Sequence, residues 1–267
     1  GKMIEEAVGL PSLIVNRGKV GALAEYWSGG KKTGELIYVS VGTGVAAGII
    51  HRGELYIGPT SSVGELGHTT ILPDGPLCAC GNRGCLQQLV SEEAIASRGR
   101  ERMRGTENCM LHDFAGDHPE KLSVLHIIHA AEKGDPVSIE ILTETACYLG
   151  IAVANLINLF NPERVVLGGP VACSSRMFCD LVGEEVKKRA MTYPLSIAEV
   201  EQSGLGLDAG AIGAAVLVVQ QAAHLHAGVF DHQEDANALH AAPGAAGAAA
   251  EKHQHDQPQA SHDRPEV

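Results

Sequence analysis

ELGHTTILPDGPLCACGNRGC, residues 65–85, packs four metal-capable side chains into a stretch with little periodicity. His68 is followed by Cys78, Cys80 and Cys85 in the order H-x9-C-x-C-G-x2-G-C. A tetrahedral Zn2+ takes four nitrogen or sulfur ligands, thiolates at about 2.3 Å and an imidazole nitrogen at about 2.0 Å. Gly81 and Gly84 would let the backbone turn tightly enough to bring Cys80 and Cys85 to one ion. With all four positions filled by protein, such an ion is structural, and it orders a loop that lacks regular structure of its own. The competing reading, three unrelated buried thiols, fits poorly with thiols bracketed by turn glycines.

Outward from this loop the pattern becomes regular. Upstream, LIYVSVGTGVAAGIIHRGELYIG (36–58) reads as strand, glycine turn, strand, then a hairpin turning at Arg52 and Gly53. Residues 11–15, PSLIV, form a short β-rich run, and 16–27 place Val20, Leu23, Ala24 and Trp27 at helical spacing, closed by Gly29 and Gly30. Downstream, Ser91 and Glu92 can open a helix, and a second is expected over about 122–133. Asp135 and Pro136 form an N-cap and first-turn pair for a long apolar helix that Asn161 and Pro162 end. Residues 164–167 read as a buried strand running into Gly168 and Gly169. A helix over 174–189, a strand near 196–199 and a small-residue helix over 209–222 follow. From about residue 225 the text turns to Ala, His, Gln, Asp and Pro without apolar period, and a disordered tail is expected.

Composition narrows the class. Of 267 residues 45% are apolar and only 4% aromatic, which suits buried parallel strands under helices and points to an α/β protein. A formal net charge of −12 argues against a nucleic-acid partner for this chain by itself, because phosphate backbones are bound by clustered Lys and Arg. No uninterrupted apolar run reaches bilayer length and no basic leader opens the chain, so no membrane partner and a cytoplasmic location are expected. Seven cysteines, three of them in one loop and Cys109, Cys147, Cys173 and Cys179 scattered, suggest a metal site in a reducing compartment rather than a disulfide framework. The lone histidines His51, His112, His126 and His129 are assigned no role.

The E-x-G-H of residues 65–68 followed by C-x-C-G-x2-G-C closely resembles the zinc loop of the ROK family (repressors, open reading frames and kinases). VSVGTGVAAG (39–48) resembles that family's second phosphate loop, NPERVVLGGPVA (161–172) its adenosine-side strand and glycines, and GLGLDAGAIGAA (204–215) its closing helix. The resemblance spans about 10–222. It implies the actin-like ATPase, ribonuclease H-like α/β fold, two lobes around a cleft. On that plan residues 1–34 are a remnant of the N-terminal lobe, 35–224 the C-terminal lobe with its zinc loop at 59–88 and a last helix returning to the N-terminal lobe, and 225–267 the tail. Family members begin with an Asp-x-Gly-x-Thr phosphate loop, and repressors carry a winged helix before it. This chain starts downstream of both, so an incomplete N-terminal lobe is expected.

By the same resemblance Asn16, Glu65, His68 and Gln87 match sugar-contacting positions, Gln87 standing where the family has a carboxylate. Gly42, Thr43, Gly44, Gly168 and Gly169 match nucleotide-side positions, and His68, Cys78, Cys80 and Cys85 the Zn2+ ligands. The kinases of the family have an aspartate after the matching asparagine as catalytic base; here that residue is Arg17. The resemblance thus implies a sugar or sugar phosphate as ligand, structural Zn2+, a dimer, DNA contact only through a domain outside this chain, and ATP with Mg2+ only if the chain is a kinase. Three functions compete: the effector-sensing and dimerisation part of a sugar-responsive transcriptional regulator, inactive as a kinase; an ATP-dependent sugar kinase of the glucokinase or fructokinase kind; and a degenerate remnant with a structural role.

Overall fold

The computed structural model describes residues 1–30 and 33–226; the expected tail beyond 226 lies outside the described residues. In chain order the elements are α1 (Lys2–Val8), α2 (Arg17–Ser28), β1 (Leu36–Val41), β2 (Val45–His51), β3 (Glu54–Leu55), α3 (Gln87–Val90), α4 (Glu92–Arg104), α5 (Leu111–Ala115) and α6 (Val124–Glu132). Then follow α7 (Pro136–Phe160), β4 (Arg164–Gly168), α8 (Gly169–Ser174), α9 (Arg176–Lys187), α10 (Thr192–Ile197), β5 (Glu199–Gln202) and α11 (Ala209–His226).

The strands form one mixed five-stranded sheet in the order β3-β2-β1-β4-β5. β2 runs antiparallel to both neighbours, while β1, β4 and β5 are parallel, with Val39 opposite Leu167 and Val165 opposite Val200. β1 and β4 are buried at every position, as expected of central strands covered on both faces. Alternation sorts their side chains. Ile37, Val39 and Val41 face a core shared with Leu149, Val153 and Ile157 of α7 and Phe178 and Val182 of α9. Leu36 and Tyr38 face the other way, onto Ala22 and Leu23 of α2 and Ala209 of α11.

Helix α7 is the spine of the first layer. Asp135 caps it by accepting from the Ser138 N–H at 2.9 Å, and Asn161 ends it in the left-handed region at φ 46°. Among the described residues it is the one helix long and apolar enough to cross a membrane, and over half of its most apolar window is buried inside the protein. It is the core helix of an α/β unit.

Three expectations are corrected. Residues 11–15 are irregular rather than a strand, Leu13 and Ile14 being 57% and 68% exposed, since an apolar run becomes a strand only beside a neighbour with which to bond. The expected strand at 196–199 begins only at Glu199, where it meets Arg164 of β4, and 192–197 are helical. The helix expected over 174–189 is interrupted at Ser175, whose hydroxyl accepts from the Phe178 N–H at 3.1 Å and starts α9 afresh.

Candidate functional site

Residues 59–86 leave β3 and cross the end of the sheet as a chain of turns. Two isolated bridges, Thr70 with Cys85 and Leu77 with Arg83, fold the loop on itself. The Ile71 N–H donates to Gly84 O at 2.9 Å, and the Cys78 N–H to Asn82 O at 2.7 Å. Gly84 has φ +64°, and a Cβ there would lie 1.5 Å from Leu72 O, so no other residue fits this turn.

The loop gathers His68, Cys78, Cys80 and Cys85 so that their ligand atoms all lie within 4.8 Å of one another. Cys78 Sγ is 3.6 Å from His68 Nδ1, and Cys80 Sγ is 3.6 Å from Cys85 Sγ. The separation of Cys80 and Cys85 is too long for a disulfide, whose sulfurs are about 2.0 Å apart, and close to the roughly 3.7 Å edge of a tetrahedron of thiolates around Zn2+. The Cys80 backbone N–H pulls the Cys78 thiol down to about 6. Burial, with the neighbouring thiols, pushes Cys85 up to about 12. Three thiols this close do not all ionise alone; a divalent cation supplies the charge that would let them, and the donor set therefore fits Zn2+.

Beside the cluster lies a polar cleft of about 240 Å³, lined by Asn16, Arg17, Ser40, Thr43, Gly44, Val45, Ala46, Glu65, His68 and Gln87. It sits past the C-terminal end of β1, where open α/β sheets place their ligands. Two amides are oriented by the protein. Asn16 Oδ1 accepts from the Gly18 N–H at 2.8 Å as the N-cap of α2, leaving Nδ2 to donate into the cleft. Gln87 Nε2 donates to Cys78 Sγ at 3.4 Å, which directs Oε1 toward Gly44. Gln88 Nε2 makes a second approach to the same sulfur, at 3.7 Å. Under the cleft Lys19, 5% exposed, donates to Ser61 O. Burial lowers its pKa, while the negative charge of Glu65 works the other way. A larger cavity of about 480 Å³ on the far side of residues 63–66 is lined mostly by apolar side chains such as Ile49, Leu156 and Phe160. It offers little to a hydroxylated ligand.

The fold thus brings Asn16, Arg17, Thr43, Gly44, Glu65, His68 and Gln87 together. Gly42, Gly168 and Gly169 are buried and do not line the cleft. They form an adjoining pair of turns at the ends of β1 and β4, with Pro170 Cδ 3.0 Å from where a Cβ on Gly42 would stand. Sequence reasoning missed Ser40 on the cleft wall, Lys19 behind Glu65 and Gln88 beside Cys78. Lys19 sits on a helix beside Val20 and Leu23 with no spacing signal to mark it.

The sequence signature of the ROK family matches residues 1–221. The chain belongs to the ROK family. It therefore has the actin-like ATPase fold, in which the mixed sheet described above is set. This ROK chain is similar to the xylose repressor of Caldicellulosiruptor bescii, 34% identical over 219 residues, which are 81% of this chain and 54% of the repressor. It is nearly as similar to the glucokinase of Halalkalibacterium halodurans, 33% identical over 221 residues, 82% of this chain and 66% of that one. Among solved structures it resembles a ROK glucokinase from Streptomyces griseus in complex with glucose and AMPPNP, with a TM-score of 0.77 and 31% identity, covering 82% of this chain and 72% of the other. The ROK chain in hand spans about half the length of the repressor it matches. A repressor and a kinase stand at similar identity, so the choice between them falls to individual side chains.

Proposed function

We propose that this chain is the sugar-binding, effector-sensing and dimerisation part of a ROK transcriptional regulator, and that it does not phosphorylate the sugar it binds. The observation that carries the reading is Arg17. It lies in the cleft directly after Asn16, where the resemblance to the kinases calls for an aspartate that takes the proton of the attacking hydroxyl. A guanidinium is donor-only and cannot accept that proton. Loss of a positioned base lowers a rate by roughly 10² to 10⁴.

What remains suits recognition. Glu65 and the directed Gln87 Oε1 offer acceptors to vicinal hydroxyls, and Asn16 Nδ2 offers a donor. Zn2+, held by His68, Cys78, Cys80 and Cys85, would have no open position and so a structural part: it would keep Glu65, His68 and Gln87 in register around the cleft. At −12 net charge the chain by itself is not expected to bind DNA; in this reading that contact belongs to a domain outside it.

The kinase reading has one specific support, a glucokinase relative as similar as the repressor, and in it Gly42 to Gly44 and Gly168 to Gly169 would meet ATP with Mg2+. A phosphotransfer assay of the zinc-loaded protein with ATP, Mg2+ and a panel of hexoses and pentoses separates the two. We expect no turnover above the protein-free rate; turnover dependent on sugar would overturn the regulator reading.

A further inference from the structure

Helix α2 carries Asn16 and Arg17 into the cleft, yet little along its length keeps it from sliding. Its buried stretch is residues 18–25, and there Leu23 is the one apolar side chain larger than valine. Elsewhere backbone approaches backbone: a Cβ on Gly48 of β2 would lie 2.1 Å from Gly18 O, and one on Gly213 of α11 would lie 1.7 Å from Val20 O. Such contacts hold a helix close, but they lack the interlocking side chains that fix its position along its own axis. Among the described residues two directional side-chain contacts do that. Near the start of α2, Lys19 donates to Ser61 O, in a segment made of turns. Near its end the Glu25 carboxyl, 2% exposed, accepts from the Ser203 hydroxyl, 178 residues away in sequence. Ser203 is itself tied to the sheet, its N–H donating to Leu167 O of β4 at 2.8 Å.

We propose that Glu25 is a positioning residue for ligand binding: its contact with Ser203 sets where α2 sits on the sheet, and so where Asn16 and Arg17 stand in the cleft, about 13 Å away along the helix. Small displacements matter there, because Arg17 Nη1 rests at the Gly42 turn, 3.4 Å from where a Cβ on Gly42 would stand, with Glu92 Oε1 3.5 Å from the same point. Asn16, the N-cap of α2, moves with the helix. The inference rests on the sugar-binding reading above and adds a residue outside the cleft that governs it. The contact also responds to charge. Burial, the largest influence, disfavours the ionised Glu25, and Glu201 of β5 acts in the same direction; the Ser203 hydroxyl, Arg164 of β4 and the Leu205 N–H favour it. Arg164 is already engaged by Glu201, through Nε at 2.7 Å. Tyr38 of β1 and Cys173 of α8 also feel the Glu25 charge, and residues 209–222 of α11 carry no ionisable side chain. A carboxylate formed here gains by moving toward water, so the contact is closed while Glu25 is protonated and loosens as pH rises through its folded value.

Calorimetric titration of the zinc-loaded protein with glucose and with xylose tests this in the parent, Glu25→Gln, Glu25→Ala and Ser203→Ala. The series runs upward in pH from the ordinary carboxyl value, at a temperature where thermal melts show each protein folded. Trp27, the chain's one tryptophan, lies in α2 just past Glu25, and its emission gives a second reading that needs no sugar. At the acid end, both Ala variants should bind whichever sugar the parent binds about five- to tenfold more weakly, the share of one hydrogen bond, and Glu25→Gln within about twofold of the parent. As pH rises the parent should lose affinity relative to Glu25→Gln, and its Trp27 emission should shift where that of Glu25→Gln stays constant. Folded Ala variants that bind as tightly as the parent would overturn the inference and leave sugar binding standing, as would one pH profile shared by parent and Glu25→Gln. Should an Ala variant not fold, the comparison of parent with Glu25→Gln carries the test. If neither sugar binds any form, the sugar-binding reading falls and Trp27 decides: emission that follows pH alike in parent and Glu25→Gln removes the contact as the hold on α2, and a shift in the parent alone keeps it.

Discussion

Cys80 is the exposed member of a cluster whose partners Cys78 and Cys85 are buried, so a change there tests the metal without emptying the core. Cys80→Ser should leave less than the roughly one Zn2+ per chain expected of the parent and lower the melting temperature, since metal binding free energy is folding free energy in such a loop. Elemental analysis with a thermal melt checks this; full zinc occupancy in the variant would remove Cys80 as a ligand. Glu25 poses a different residue-scale question. It is 2% exposed on α2 and accepts from the Ser203 hydroxyl. Burial raises its pKa, which the Ser203 bond and the Arg164 charge only partly offset. A carboxyl raised in the folded state favours folding while protonated, and that contribution is lost as pH rises through the folded value. Glu25→Gln, which cannot ionise, should therefore gain stability relative to the parent as pH rises above the ordinary carboxyl value, read as the difference in melting temperature. A difference that does not change with pH would refute the assignment.

At the scale of elements, α7 depends on its first turn. Burial alone would raise the pKa of Asp135, but bonds from the Ser138 hydroxyl and from the Met110 and Ser138 N–H groups outweigh it and hold the carboxyl below its ordinary value. Asp135 thereby ties α7 to the segment before α5, through the Met110 N–H at 3.0 Å. Asp135→Ala should cost about 1–2 kcal/mol in urea denaturation at neutral pH. The parent's advantage is present above the unfolded carboxyl value and should vanish as pH falls through the folded one. Equal stability of parent and variant at neutral pH would show that the cap is idle. The loop of residues 59–86 is an element of another kind, with little regular secondary structure and an order that comes from turns such as the one at Gly84.

For the whole molecule, ligand and metal should act on the same equilibrium. A sugar that binds only the native form stabilises it by about 2.7 kcal/mol at a hundredfold excess over Kd. If Zn2+ orders the loop, chelation should reduce that stabilisation, because Glu65, His68 and Gln87 all belong to or touch that loop. Thermal melts with and without chelator, at saturating ligand, measure both effects. Loss of stability on chelation with no shift from any sugar would instead favour a purely structural role. The expected dimer is open to light scattering, a monomer at micromolar concentration being the result against it.

Local chemistry made some of this legible in the amino acids alone. The H-x9-C-x-C-G-x2-G-C spacing singled out the four side chains that the loop brings together, because ligand chemistry and turn glycines act over a few residues. The period of β1, β2 and β4 and the Asp135 cap were equally readable, being set by neighbours along the chain. The apolar run at 11–15 misled because a strand is made by a partner, and none of the sheet's strands lies beside it. Three features were decided by tertiary structure: the cation behind Glu65 being Lys19, the Cys78 sulfur directing Gln87, and the Gly42 turn receiving the Arg17 guanidinium. Each is a through-space contact, two of them between segments far apart in the chain, and through-space electrostatics and amide orientation leave no trace in local spacing.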